Sequence, residues 1–272
     1  MSTRYDVIVI GAGPGGYPCA IRLGQLKKRV LVIEAKFLGG LCLNWGCIPT
    51  KALSFAAEMT DNFKKAQRMG FKIESSGLDI DVLRNWKEGV VKRLRSGIEF
   101  LFKSVGIEWK QGYATIVSPN RVEVENAGSK EVFEGENIII ATGTEVIPLP
   151  GLNFDGNYII NTDDALELRE IPKHLLVVGA GASGLEMATI YARLGSSVTV
   201  VEIMEQILPG MEHELCDHLY KILKKSGIEI YLDSQVTGYE KKYNRLEVTV
   251  KKPEGEIREM HDKILVTVGR RP

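Results

Sequence analysis

Apolar residues first gather at positions 5–10, a β-rich run that breaks at Gly11-Ala12-Gly13-Pro14-Gly15-Gly16. Helical spacing follows through about residue 26, and a second apolar run at 30–33 closes on Glu34. This is a strand, a glycine-rich turn, a helix and a second strand. Positions 83–105 carry helical apolar spacing among many lysines and arginines, and short strands follow within 114–124 and 132–140. The last of these ends in Ala141-Thr142-Gly143, small residues suited to a backbone passing near a ligand or to an ordinary strand end. Pro148, Pro150 and Gly151 then break the periodicity and mark a connection near 144–171. Beyond it the opening device returns as an apolar run at 174–178, Gly179-Ala180-Gly181-Ala182-Ser183-Gly184, a helix through about 194 and a strand at 197–201 closed by Glu202. A helix at 212–226 leads to strands at 228–232, 245–251 and 264–268. The pattern predicts an α/β chain with two Rossmann-like dinucleotide-binding domains and inserted β-meander elements. The domains are expected at 1–143 and 172–272, joined by the connection at 144–171.

The two copies agree in detail, because the first glycine and the closing acid are 23 residues apart in each (34 − 11 and 202 − 179). Gly11 suits the tight turn, Gly13 lets a pyrophosphate reach the helix N-terminus, Gly16 allows close helix packing, and Glu34 can hold a ribose 2′-hydroxyl. A glycine pattern alone is weak, but flanking strands, helix and acid are the context it requires. Two such units imply two dinucleotide ligands, or one ligand and a decayed copy, and the three glycines and the acid kept in both favour two. A carboxylate at Glu202 favours a free ribose hydroxyl over a 2′-phosphate, and no arginine follows between 203 and 210, so NAD is expected rather than NADP. Pro18 falls early in the first helix, where a missing backbone donor is tolerable.

Composition narrows the function without naming it. The chain has 272 residues, enough for two domains, and its 35 basic and 35 acidic side chains balance, so no electrostatic footprint for nucleic acid is present. The apolar run at 7–10 is too short for a signal or membrane segment. Of four cysteines, Cys19 and Cys216 have no neighbour in sequence, which argues for a reducing compartment, the cytoplasm or an organelle matrix.

The remaining two stand in Gly39-Gly40-Leu41-Cys42-Leu43-Asn44-Trp45-Gly46-Cys47-Ile48-Pro49-Thr50-Lys51. Residues five apart in a regular helix have Cα atoms about 8.7 Å apart, beyond the roughly 7 Å that a disulfide spans. A bridge between Cys42 and Cys47 therefore needs distorted backbone, which Gly46 and Pro49 are expected to supply. Two reduced core thiols, or half of a zinc site, are the alternatives. Metal fits poorly, since no second Cys/His pair has ligand spacing. His213-Glu214-Leu215-Cys216-Asp217-His218 superficially suggests a zinc helix, but its histidines are five apart and do not share a face, so no metal site is expected.

With both nucleotide units and the paired thiols placed, the chain resembles the pyridine nucleotide-disulfide oxidoreductases, a flavoprotein group that includes dihydrolipoamide dehydrogenases, glutathione reductases and mercuric reductases. The resemblance covers essentially the whole chain, and its most specific element is the motif from Gly39 to Lys51. Cys42-Leu43-Asn44, Cys47-Ile48-Pro49, Ala192-Arg193-Leu194-Gly195 and Val200-Val201-Glu202 are most similar to the dihydrolipoamide dehydrogenases. The resemblance implies FAD in the first unit, held by Gly11, Gly13, Gly15, Gly16, Glu34, Gly40, Lys51, Ala114, Thr142 and Gly143. It implies NAD in the second, held by Gly179, Gly181, Ser183, Gly184 and Glu202, with Val236 and Gly269 lining the pocket. Cys42 matches the interchange thiol and Cys47 the thiol facing the flavin. Lys51 matches an ammonium near the flavin, with Glu186 as its partner. The implied reaction oxidises dihydrolipoamide to lipoamide through a Cys42–Cys47 redox disulfide and FAD, with reduction of NAD. Mercuric or another disulfide reduction remains an alternative within the group.

Family members continue for roughly one or two further domains of about 100–200 residues each. There the family places a second FAD contact, the dimer surface and the His/Glu pair that serves as thiol base. His174, His213, His218 and His261 do not match that histidine motif, and loss of a general base costs about 10²–10⁴ in rate. The resemblance thus implies a homodimer for the full-length protein, a lipoamide or lipoyl-domain partner, and, for these residues alone, a catalytically incomplete nucleotide-binding fragment as the competing reading.

Overall fold

The structure, a computed structural model, describes residues 4–73, 77–167 and 169–272. Its elements begin with β1 (Arg4–Ile10), α1 (Tyr17–Gln25), β2 (Val30–Glu34), α2 (Gly40–Trp45), α3 (Cys47–Arg68) and α4 (Ile80–Ser104). They continue with β3 (Glu108–Gln111), β4 (Tyr113–Ser118), β5 (Arg121–Asn126), β6 (Ser129–Ile140), β7 (Glu145–Val146), β8 (Ile159–Ile160) and α5 (Thr162–Glu167). The rest are β9 (His174–Val178), α6 (Ala182–Arg193), β10 (Ser197–Val201), α7 (His213–Lys225), β11 (Glu229–Tyr231), β12 (Gln235–Lys242), β13 (Arg245–Lys252), β14 (Gly255–His261), β15 (Lys263–Val266) and β16 (Arg270–Arg271). None of the described helices is long and apolar enough to cross a membrane.

The described residues divide into two compact units, one of 4–49, 88–145 and 272, the other of those within 50–87 and 146–271. Residues 50–87, expected in the first domain, group with the second because Leu53 and Ala57 of α3 and Leu83 of α4 bury in its core. Part of the expected connection joins the same unit, since β8 pairs in parallel with β15.

In the first unit one sheet runs β3-β2-β1-β6-β5-β4, with β3, β2, β1 and β6 parallel and β5 and β4 antiparallel. The 12-residue β6 serves both parts: its second half pairs with β1 and its first half with β5. Alternate residues of the central strands enter opposite layers. Val7, Val9, Val30 and Val32 pack with Ala20 of α1, Leu43 of α2, and Val91, Ile98 and Phe102 of α4. Ile8, Ile10, Leu31 and Ile33 pack with Val122 and Val124 of β5. Covering on both faces is why these strands read as continuous apolar runs.

The second unit repeats the layering with different parts. Its parallel sheet runs β11-β10-β9-β15-β8, and β12-β13-β14 form an antiparallel sheet. Leu175, Val177, Val198 and Val200 face α5, α6 and α7, whereas Leu176, Val178 and Val201 face Leu246, Val248 and Val250 of β13. Each unit is thus helices, parallel sheet and antiparallel strands in three layers.

Candidate functional site

The first glycine loop is closed by backbone at very short range. Gly11 has φ +100°, and a Cβ there would lie 2.1 Å from the Ala141 carbonyl oxygen; a Cβ on Gly16 would lie 1.9 Å from the Gly11 carbonyl oxygen. Only glycine fits either place. Glu34, arriving at the end of β2, accepts the Ala12 N–H at Oε2 (2.8 Å) and the Lys36 N–H at Oε1 (2.8 Å). Each oxygen keeps lone-pair capacity for a ribose hydroxyl. No side chain caps α1, so its first-turn N–H groups face the loop as an anion-binding end, with Pro18 inside that turn lacking a donor. Donor set and cradle fit a dinucleotide.

The second loop reproduces this arrangement. Gly179 has φ +101° and its Cβ would lie 2.9 Å from the Thr267 carbonyl oxygen, while a Cβ on Gly184 would lie 2.1 Å from the Gly179 carbonyl oxygen. Glu202 is buried and accepts the Ala180 N–H at Oε2 (2.6 Å) and the Met204 N–H at Oε1 (3.0 Å). A Cβ on Gly181 would meet nothing within 4 Å, α6 has no side-chain cap, and Ser183 is exposed in its first turn. Residues 141–143 after β6 and 267–269 after β15 pass the first glycines in the same way, the Ala141 N–H donating to Ile10 (2.7 Å) and the Thr267 N–H to Val178 (2.8 Å). Thr142 and Gly143 are therefore the counterparts of Val268 and Gly269, an equivalence that spacing hides because the intervening segments differ in length.

The chain returning after the second strand also makes the same bond twice: the Gly39 N–H donates to Ala12 (2.8 Å) and the Leu208 N–H to Ala180 (2.9 Å). In the first unit that returning chain carries the thiols. A Cβ on Gly40 would lie 2.4 Å from Gly13 Cα, so the backbone before Cys42 rests on the glycine loop. Helix α2 then ends at Gly46, whose φ −143° and ψ −114° leave the helical region, and α3 starts at Cys47. The break brings the Cα atoms of Cys42 and Cys47 to 4.6 Å, and the two form a disulfide. Pro49 does not interrupt the helix as expected. It lies in the first turn of α3, where an N–H has no intrahelical acceptor to lose. Cys42 is half-buried and Cys47 exposed; Cys19 and Cys216 are free thiols.

Asn44, between the thiols, was quoted in the motif but given no role by sequence reasoning. It is buried, and its Nδ2 donates to the carbonyls of Leu38 (3.0 Å) and Gly40 (2.9 Å). Arg95 of α4 donates to Asn44 Oδ1 from both Nε (3.1 Å) and a terminal nitrogen (2.6 Å). Nothing in the basic face of α4 distinguishes Arg95 from Lys92 or Arg93.

Within the second unit Lys51 and Glu186 form an ion pair, with side chains 65% and 46% exposed. Such a pair contributes at most about 1 kcal/mol, so stability does not explain it. Gly15 is exposed beside Ala141, Ala114 is half-buried on β4, and Val236 is buried at the start of β12. A cleft of about 750 Å³ opens elsewhere in this unit, near His174 and Arg245 at the opposite end of β9 from Gly179. Of its charges, Arg245 pairs with Asp262 and Lys263 with Glu170.

Residues 5–272 match the family of pyridine nucleotide-disulphide oxidoreductases. A dihydrolipoyl dehydrogenase of Thermus scotoductus is 46% identical over 271 residues, covering 98% of this chain and 58% of the relative. One from Geobacillus stearothermophilus is 41% identical, covering 98% and 57%, and a mitochondrial one from Dictyostelium discoideum is 41% identical, covering 99% and 57%. Among solved structures, the HOCl-induced flavoprotein disulfide reductase RclA from Escherichia coli superposes with a TM-score of 0.80 at 28% identity, over 98% of this chain and 57% of that one. The chain thus spans 57–58% of the length of these relatives.

Proposed function

This chain belongs to the pyridine nucleotide-disulphide oxidoreductase family, and from that premise we propose that it is the dinucleotide-binding and disulfide-bearing portion of a dihydrolipoamide dehydrogenase. The observation that carries the reading is the Cys42–Cys47 disulfide on a segment bonded, through Gly39, to the glycine loop of the first unit. FAD is assigned to the loop of Gly11, Gly13, Gly15 and Gly16 with Glu34, Gly40, Ala114, Thr142 and Gly143. NAD is assigned to Gly179, Gly181, Ser183, Gly184 and Glu202, with Val236 and Gly269 beside it. Bound FAD supplies a two-electron carrier between the dithiol and NAD.

The chain's own residues perform the thiol chemistry. A substrate thiolate attacks Cys42 Sγ, the Cys42–Cys47 bond breaks, and Cys47 leaves as a thiolate. The second substrate thiol then attacks the mixed disulfide and releases Cys42. Lipoamide departs as a cyclic disulfide, and two electrons and two protons remain on Cys42 and Cys47. Only thiolates exchange, so the reaction needs a base. Resemblance puts that base, a His/Glu pair, in the part of the longer relatives that this chain does not span. Lys51, held by Glu186, is assigned the positive charge that favours an anionic reduced carrier. The proposed partner is a lipoyl domain of an acyltransferase complex, the full-length assembly a homodimer, and the setting a reducing compartment such as the cytoplasm or an organelle matrix, which the free Cys19 and Cys216 support.

Replacing Cys47 by Ser in the full-length protein tests this. FAD content should stay near one per chain while dihydrolipoamide turnover disappears; full turnover in that variant rules the thiol relay out.

A further inference from the structure

Helix α2 is six residues long, begins at a left-handed Gly39 without a side-chain cap, and carries Cys42. A helix this short does not hold itself together in water. In the oxidised protein the bridge to Cys47 ties α2 to α3, but each catalytic cycle opens that bridge. What then holds Cys42 is the burial of Leu43 and the bonds of Asn44. Asn44 is saturated: Oδ1 receives both Arg95 donors and Nδ2 serves both carbonyls, so turning the amide over would face donors with donors and acceptors with acceptors. The Arg95 guanidinium also lies 4.1 Å over the Phe37 ring, gripping the chain just before Leu38 and Gly40.

We propose that Arg95 is a positioning residue for the redox thiols, retaining α2 and Cys42 within bonding reach of Cys47 while the bridge is open. The proposal rests on the reading of Cys42–Cys47 as a redox pair. Its consequence is thermodynamic. The tendency of a dithiol to close measures the effective concentration of one thiol at the other. Arg95 is redundant when the disulfide already restrains α2 and acts when it does not, so losing it lowers that concentration and makes the bridge easier to reduce.

The test equilibrates the full chain with graded ratios of reduced to oxidised dithiothreitol, quenches with acid, alkylates free thiols and counts those in the peptides carrying Cys42 and Cys47. Two electrons and two protons pass from dithiothreitol to the cysteines as dithiothreitol closes its own ring. Arg95→Met should shift the equilibrium about tenfold toward the open dithiol, a potential about 30 mV less negative, and should lower the melting temperature of the reduced protein more than that of the oxidised protein, which bears the same unpaired Asn44 Oδ1 but keeps the bridge. Arg95→Lys keeps the charge and one donor, and should fall between Met and wild type; if the Met variant fails to fold, this smaller shift carries the test. Wild-type equilibrium in both variants overturns the positioning role, as does a drop in oxidised melting temperature with no shift in equilibrium. A wild-type bridge that stays closed across the whole range overturns the redox reading itself, which is a different failure.

Discussion

At the scale of single residues, the most constrained groups are the two acids that close the glycine loops. Glu202 binds one backbone N–H with each oxygen. In Glu202→Gln the amide nitrogen cannot accept, so one donor, Ala180 or Met204, loses its partner at a cost of about 1–3 kcal/mol. Urea denaturation should show a loss of that size together with weaker NAD binding by titration; an unchanged midpoint and affinity would make the acid a bystander. Glu34→Gln should cost less, because Glu34 is only partly buried and water can replace the lost acceptor. These acids and the glycines stood out in the sequence because each fingerprint repeats at a fixed spacing, and at Gly11, Gly16, Gly179 and Gly184 an added Cβ would strike backbone. Arg95 did not. An arginine in a basic helix is ordinarily a solvated charge, and only the fold brings it to Asn44.

Among elements, legibility followed burial. Strands β1, β2, β9 and β10 have both faces covered and stand out as apolar runs, whereas β12 and β14 flank β13 with many exposed charged positions and leave no comparable trace. Helix α3 was hidden behind Pro49, which looked like a breaker but occupies a first turn. The end of β14 also carries a pH dependence. His261 is buried, and that burial holds its imidazole below the usual range; Glu259, 3.3 Å from Nε2, opposes the effect, while His174 and Arg245 reinforce it. The unfolded chain takes up a proton near pH 6.5 and the folded chain resists it, so the unfolded state binds more protons on the acid side and stability declines as pH falls below about 6.5. Urea midpoints between pH 5 and 8 should slope accordingly, and His261→Gln should flatten the slope. A flat wild-type profile contradicts this assignment.

For the whole molecule, the twofold use of one layered plan gives each unit its own glycine loop, and the proposed assignment of ligands to loops can be tested one at a time. A ligand at 100 times its Kd stabilises the folded state by about 2.7 kcal/mol. Gly16→Ala should abolish the rise in melting temperature caused by FAD and leave that caused by NAD, and Gly184→Ala should do the reverse; both rises surviving in both variants would refute the pairing. The clash of each added Cβ with a loop carbonyl makes these substitutions severe. The carboxylate clasp has a further implication for assembly order. Each loop is locked by a side chain that arrives only with the following strand, Glu34 on β2 or just after β10 in the case of Glu202. A peptide cut before that strand would therefore contain every glycine of the fingerprint and still lack a finished pocket, so competence to take up a nucleotide should emerge during synthesis as a step, no earlier than the docking of the second strand, and not gradually with the glycines themselves.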